Sequence, residues 1–151
     1  MYCLLMIFSI LALTPDKVEF KICYGVYIDD HYERKFTARE RIWELKSGKL
    51  NYLIDLNDTR YHDSITLSAA EIETLYQTLK SANIKHNQAE RMDEDYADKC
   101  GYSASIRGHI KIDQQVFELD FRTNAPNALE KNETSKFFIN FEQLLYQLAE
   151  Q

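Results

Sequence analysis

Lys17-Val18-Glu19-Phe20-Lys21-Ile22-Cys23-Tyr24-Gly25-Val26-Tyr27-Ile28 alternates strictly, with Val18, Phe20, Ile22, Tyr24, Val26 and Ile28 on one side and Glu19, Lys21, Cys23, Gly25 and Tyr27 on the other. A period of two over twelve residues is the mark of a long strand with one face buried and one face wet. Asp29-Asp30-His31 reads as a turn. A second strand from about Phe36 to Lys46 and a third from Lys49 to Leu56 follow, joined by Ser47-Gly48 as a two-residue hairpin loop. That loop sets the register: Lys46 opposite Lys49, Leu45 opposite Leu50, Trp43 opposite Tyr52. Arg39 and Arg41 share the parity of Trp43 and Leu45, which calls for a bulge or a half-exposed face.

A helix start stands at Leu67-Ser68-Ala69-Ala70-Glu71-Ile72. Ser68 and Glu71 form a capping box, Leu67 and Ile72 a hydrophobic staple, and Ile72, Leu75, Tyr76 and Leu79 a helical stripe to about Ala82. Lys85 to Lys99 is polar and reads as a long loop. Tyr102 to Ile112 alternates again and pairs with Val116 to Arg122. A Gln114-Gln115 loop would set Ile112 against Phe117, Lys111 against Glu118 and His109 against Asp120. After a turn at Asn124 to Asn127, a helix from Ser135 to Glu150, capped by Thr134 or Ser135, buries Phe137, Phe138, Phe141, Leu144, Leu145 and Leu148. The expected fold is α+β: an antiparallel sheet of about five strands with two helices packed on one face, in the order βββαββα.

At 151 residues, with 45% hydrophobic and 28% charged side chains and only 4 Gly and 2 Pro, the chain has the size and composition of one folded domain. A net charge of -6, with no run of Lys or Arg longer than two, argues against nucleic acid and anionic membrane surfaces as partners. Residues 1–15 carry no charged side chain, and Leu4 to Leu13 is an apolar run of ten, too short to span a bilayer and suited to the core of a signal peptide. The run lacks a preceding Lys or Arg. The reading is a leader over 1–15 and a single α+β domain over 16–151, exported to the periplasm or secreted; the alternatives are that the leader is a core segment of a cytoplasmic protein, or an uncleaved anchor through which alone the chain would meet a membrane. Loss of the leader would remove Cys3 and leave Cys23 and Cys100, an even count suited to one disulfide. Such a bond, closing about 78 residues, would contribute roughly 4 kcal/mol. No Cys or His spacing points to zinc or a redox dithiol, and neither a metal nor a cofactor is expected.

Of the ionisable clusters, the densest is His109 with Arg107, Lys111, Glu118 and Asp120. An imidazole beside a carboxylate is the raw material of general base catalysis, and cross-strand charge pairing on a wet sheet face produces the same pattern. Asp93-Glu94-Asp95 with Asp98, and Asp55 to Thr59, lack the glycine and terminal glutamate of a calcium loop. Asp29 to Glu33 gathers carboxylates and His31 at a turn, where turn chemistry accounts for Asp-Asp. His62 and His86 have no partner legible in the sequence. Tyr27, Tyr32, Tyr61, Tyr96 and Tyr102 are candidate contact groups for a protein partner. Asn57-Asp58-Thr59 and Asn132-Glu133-Thr134 match the glycosylation sequon.

The layout of apolar leader, long alternating strand, Ser47-Gly48 hairpin, Leu67 to Ile72 helix start and closing strand pair plus helix resembles small exported bacterial proteins of no assigned activity. The resemblance implies export and an α+β fold, with no activity and no site residue. The functional expectation is a non-enzymatic protein-binding module of the bacterial envelope, such as an inhibitor or a toxin-neutralising immunity protein. Its binding candidates are Tyr27, Arg107, His109, Lys111 and Asp120, and no catalytic residue is assigned. The alternatives are a small hydrolase using His109 and Asp120, and a structural envelope domain.

Overall fold

The computed structural model describes residues 17–30, 34–56, 59–93, 100–125 and 127–151. The leader, Cys3, the cluster at 31–33 with Tyr32, the sequon at 57–58, and Glu94, Asp95, Tyr96 and Asp98 of the acidic loop lie outside them. Seven strands form one sheet: β1 (Val18–Asp30), β2 (Lys35–Lys46), β3 (Lys49–Leu56), β4 (Thr59–Thr66), β5 (Asn87–Arg91), β6 (Cys100–Ile112) and β7 (Gln115–Thr123). Helix α1 (Ala69–Ser81) follows β4, and α2 (Ala128–Lys131) and α3 (Glu133–Ala149) close the described chain. The spatial order is β4-β3-β2-β1-β6-β7-β5, so the long alternating strand lies at the centre of the sheet. No helix among the described residues is long and apolar enough to cross a membrane.

This corrects the expected five-stranded antiparallel sheet with two helices: among the described residues the sheet has seven strands and is mixed, because β5 runs parallel to β7, and there are three helices. The added elements are those that hydrophobic periodicity cannot register. In β4 the first five residues are exposed, so the strand is held by its ladder to β3 and has no apolar alternation to display. Strand β5, Asn-Gln-Ala-Glu-Arg, is polar and short, and occupies part of the segment expected to be a loop. Helix α2 is one turn of four residues.

The Ser47-Gly48 loop carries positive φ at both residues, 50° and 75°, as a hairpin matched to strand twist requires. It delivers the register Lys46 to Lys49, Leu45 to Leu50 and Trp43 to Tyr52, with the two rings 5.2 Å apart. The β6–β7 hairpin turns one residue earlier than expected. Asp113, at φ 55°, and Gln114 form the loop, since a short acidic side chain tolerates the left-handed region. The pairing therefore slips by two: Ile112 faces Gln115, Lys111 faces Val116, His109 faces Glu118 and Arg107 faces Asp120. A shift of two keeps every side chain on its expected face.

Val18, Phe20, Ile22 and Tyr24 of β1, Ile106, Ile110 and Ile112 of β6, and Leu119 and Phe121 of β7 meet Ile72, Leu75 and Leu79 of α1 and Phe138, Phe141, Leu145 and Leu148 of α3 in one core. Each large side chain fully removed from water contributes about 1.5–3 kcal/mol. Helix α1 begins with the expected box: Glu71 N–H donates to Ser68 Oγ (3.3 Å) and Ser68 N–H donates to Glu71 Oε2 (2.6 Å). The Ser68 hydroxyl, which donates to Glu71 Oε2 at 2.6 Å, and then Ser68 N–H hold the Glu71 carboxyl below its ordinary value. Their contribution is present above the ordinary carboxylate range and is lost as pH falls through the lowered value. Ser68→Ala is expected to cost about 1 kcal/mol in urea unfolding at neutral pH. An unchanged midpoint would show that the box contributes nothing.

Helix α3 is capped by Asn132, two or three residues before the expected Thr134 or Ser135. Its side chain accepts from Ser135 N–H at 3.0 Å, while Ser135 is itself buried. Asn132 Nδ2 also donates to Glu90 at 2.7 Å, so both ends of this sequon amide are engaged in the fold. Arg41 needs no bulge, because the β2 register is continuous on both sides. It faces the helices and meets Glu142, which sits on the buried stripe of α3. Arg41 Nε and Nη2 donate to the two carboxylate oxygens at 2.7 and 2.9 Å, and Trp43 Nε1 donates to one of them at 3.1 Å. Tyr24 O–H, alongside, donates to the Phe138 carbonyl at 2.8 Å. Arg39, two residues toward the strand end, is exposed.

Candidate functional site on the open face of the sheet

Alternation along β1 places Lys21, Cys23, Gly25 and Tyr27 on the face that none of the described helices covers. The register adds Glu40, Ile42 and Glu44 from β2, Ser105, Arg107, His109 and Lys111 from β6, and Glu118, Asp120 and Arg122 from β7. All five binding candidates, Tyr27, Arg107, His109, Lys111 and Asp120, therefore share this face. Rows run across the strands in which acidic groups lie beside basic or imidazole groups at the β7–β6 end. One reads Glu118, His109, Lys21, Glu44; the next reads Asp120, Arg107, Cys23, Ile42, Leu53, His62. Lys111 Nζ lies 3.6 Å from Glu19, and Arg122 grips Asp120 with two bonds of 2.7 and 2.9 Å. Exposed pairs of this kind add little stability, so what the rows provide is a patterned surface.

The expected pairing of His109 with Asp120 is not the one formed. His109 stands between Lys21 and Glu118, while Asp120 stands beside Arg107 and is held by Arg122. The cause is the earlier turn at Asp113. The expected Cys23 to Cys100 bond is likewise absent. Cys23 is a free thiol opposite Arg107, and Cys100 lies opposite Asp30, seven residues further along β1. That separation is roughly 23 Å of extended chain, against the Cα spacing of less than about 7 Å that a disulfide requires.

Sequence reasoning did not reach the centre of this face, which is Glu40. Cys23 Sγ–H donates to Glu40 Oε1 at 3.2 Å. Burial first, then the hydrogen bond and charge of Glu40, push the Cys23 thiol from 9.0 up to about 12, against the opposing pull of Arg107 and Arg41. Burial and the charge of Glu40 raise the Tyr27 hydroxyl as well. Between them Gly25 leaves a dimple: a Cβ there would stand 3.1 Å from the Tyr27 ring and 3.2 Å from Ser105 Oγ. Tyr27 thus lies across Gly25, with Cys23, Glu40 and Ser105 around it. The legible signal was the single glycine in an otherwise unbroken alternating strand, which marks a close approach.

A protonated thiol is a poor nucleophile. Cys23 is therefore expected to react slowly with iodoacetamide at pH 8, and Glu40→Gln, which removes the raising charge, is expected to speed the reaction severalfold. Equal rates in the two proteins would remove Glu40 as a cause. The raised value also has a sign for folding. Its stabilising contribution is complete below the ordinary thiol value and is lost as pH rises between 9.0 and about 12.

On the opposite face a cleft of about 200 Å³ opens between Tyr24, Val26, Arg41, Ala104, Leu129 and Ile139. Its inner polar groups are spent on one another, because Glu142 already takes three donors from Arg41 and Trp43. Comparison with known proteins finds no family model that matches the chain and no matching curated relative.

Proposed function

We propose that this chain is a non-enzymatic protein-binding module of the bacterial envelope, of the inhibitor or immunity type, that meets its partner with the open face of the sheet. The observation that carries the reading is the gathering of Tyr27, Arg107, His109, Lys111 and Asp120 on the face that none of the described helices covers, in rows that mix acidic and basic groups. Such rows set orientation and exclude wrong partners more than they add affinity, while a half-buried tyrosine over a glycine supplies a rigid aromatic contact. A net charge of -6 would speed encounter with a basic target. Hydrolysis is the weaker reading, because His109 faces Lys21 and Glu118, and the one thiol on this face is held protonated.

The test is retention of envelope proteins from the producing cell on immobilised protein, beside an Arg107→Glu/Lys111→Glu variant with an unchanged circular dichroism spectrum. The proposal expects one discrete protein held by the wild type and at least tenfold less by the variant, a loss of about 1.4 kcal/mol or more. Equal retention by both, or no retained protein, would contradict it.

A further inference from the structure

The two edges of the sheet are treated differently. At one edge β5 is five residues long and runs parallel to β7. The chain is then tied down by Met92 N–H donating to the Arg122 carbonyl (2.8 Å), by Thr123 Oγ1 donating to the Met92 carbonyl (2.7 Å) and by the Asn132 to Glu90 bond. At the other edge β4 pairs with β3 over eight consecutive residues without a bulge, and among the described residues its outer side has no neighbouring strand. Thr59-Arg60-Tyr61-His62-Asp63-Ser64-Ile65-Thr66 contains no proline and no lysine, two of the devices that blunt an edge, and its charged residues are one of each sign, Arg60 and Asp63. Tyr61, at 56% exposure, is one of two large hydrophobic side chains that stand exposed among the described residues.

We infer that β4 pairs with β4 of a second copy of this chain, antiparallel, to make one continuous sheet of two protomers. A two-fold axis perpendicular to the sheet keeps each copy's helix-covered face on the same side, and it requires residues of equal parity to face one another. Centred on His62, the register sets Tyr61 against Asp63 of the other copy, Arg60 against Ser64 and Thr59 against Ile65. No like charges meet. Each tyrosine hydroxyl comes beside a carboxylate on the helix-covered side, and the strand that pairs is locally neutral in a chain of net charge -6, with Arg60 balancing Asp63. Shifting the axis to Asp63 would oppose two carboxylates, which disfavours that register. A contact made by one strand from each copy is smaller than a standard interface, so association belongs in the micromolar to millimolar range.

Sedimentation velocity of the full chain from micromolar to millimolar concentration tests this. The wild type is expected to shift reversibly from monomer to dimer. His62→Lys, which brings two ammonium groups together at the axis, and Tyr61→Asp, which opposes two carboxylates twice, should both stay monomeric. Tyr61→Asp/Asp63→Lys should recover the dimer, because it restores opposite charges in each pair. These side chains are exposed, so the variants are expected to keep the wild-type circular dichroism spectrum. A wild type that remains monomeric throughout, or a dimer that His62→Lys leaves intact, would overturn the inference.

Discussion

Gly108→Ala is expected to destabilise the protein by more than about 3 kcal/mol, beyond the ordinary range for an added methyl group in a packed interior. Gly108 has φ 154°, and a Cβ there would stand 2.0 Å from the Lys21 carbonyl oxygen and 2.9 Å from Ile22 Cα. Both contacts are backbone of β1, so no rotamer change relieves them. Moving β1 away would open the pairing of β1 with β6 at the centre of the sheet. Gly101, on the same strand, is the control: its added Cβ would meet Asp29 Cβ at 3.3 Å, a contact that a few tenths of an ångström relieve. Urea unfolding should therefore separate the two, with Gly101→Ala within about 1 kcal/mol of wild type. Similar midpoints for both variants would mean that β1 and β6 do not approach as closely as described.

Glu142→Leu is the second large effect, expected at about 3 kcal/mol. The carboxylate takes two bonds from Arg41 and one from Trp43, and the side chain is only 5% exposed. Removing it leaves a guanidinium and an indole N–H without their acceptor. Breaking a buried pair from one side typically costs about 3–5 kcal/mol. The lower end applies because the Arg41 side chain is 22% exposed and can recover some water. Arg41→Met/Glu142→Leu should regain part of the loss, leaving chiefly the unpaired Trp43 N–H, worth about 1–3 kcal/mol. A double-mutant cycle in urea checks this: strong coupling is expected, and simple additivity would show that the pair does not act as a unit.

The same residues show what the sequence could and could not disclose. Where one face is buried and the other wet, the period of two in β1, β2, β3, β6 and β7 was legible, and so was the capping box of α1. Arg41 on an apolar face and Glu142 on an apolar helical stripe were each visible as anomalies. Their union was not, because the pairing spans 101 residues and depends on where α3 crosses β2. Strands β4 and β5 were illegible for a different reason: edge strands with exposed side chains are stabilised by backbone ladders, which leave no hydrophobic pattern. The β6–β7 register turned on whether Asp113 or Gln115 entered the loop, a choice made by one residue's tolerance of positive φ. Because the slip was an even number, the face shared by the binding candidates survived it, while the partner of His109 changed.

The face itself was therefore readable and its centre was not. Glu40 draws together Cys23 and Tyr27, and no motif joins residues that meet only by lying on neighbouring strands.

On the proposed function, this open face, rather than the helix-covered side, meets another protein. Its most direct test is a photo-crosslinking amino acid placed at Tyr27 and, separately, at Lys136 on the exposed side of α3, in the cell that makes the protein. One discrete protein adduct is expected from position 27 and none from position 136. Adducts of equal yield from both positions, or none from position 27, would contradict it.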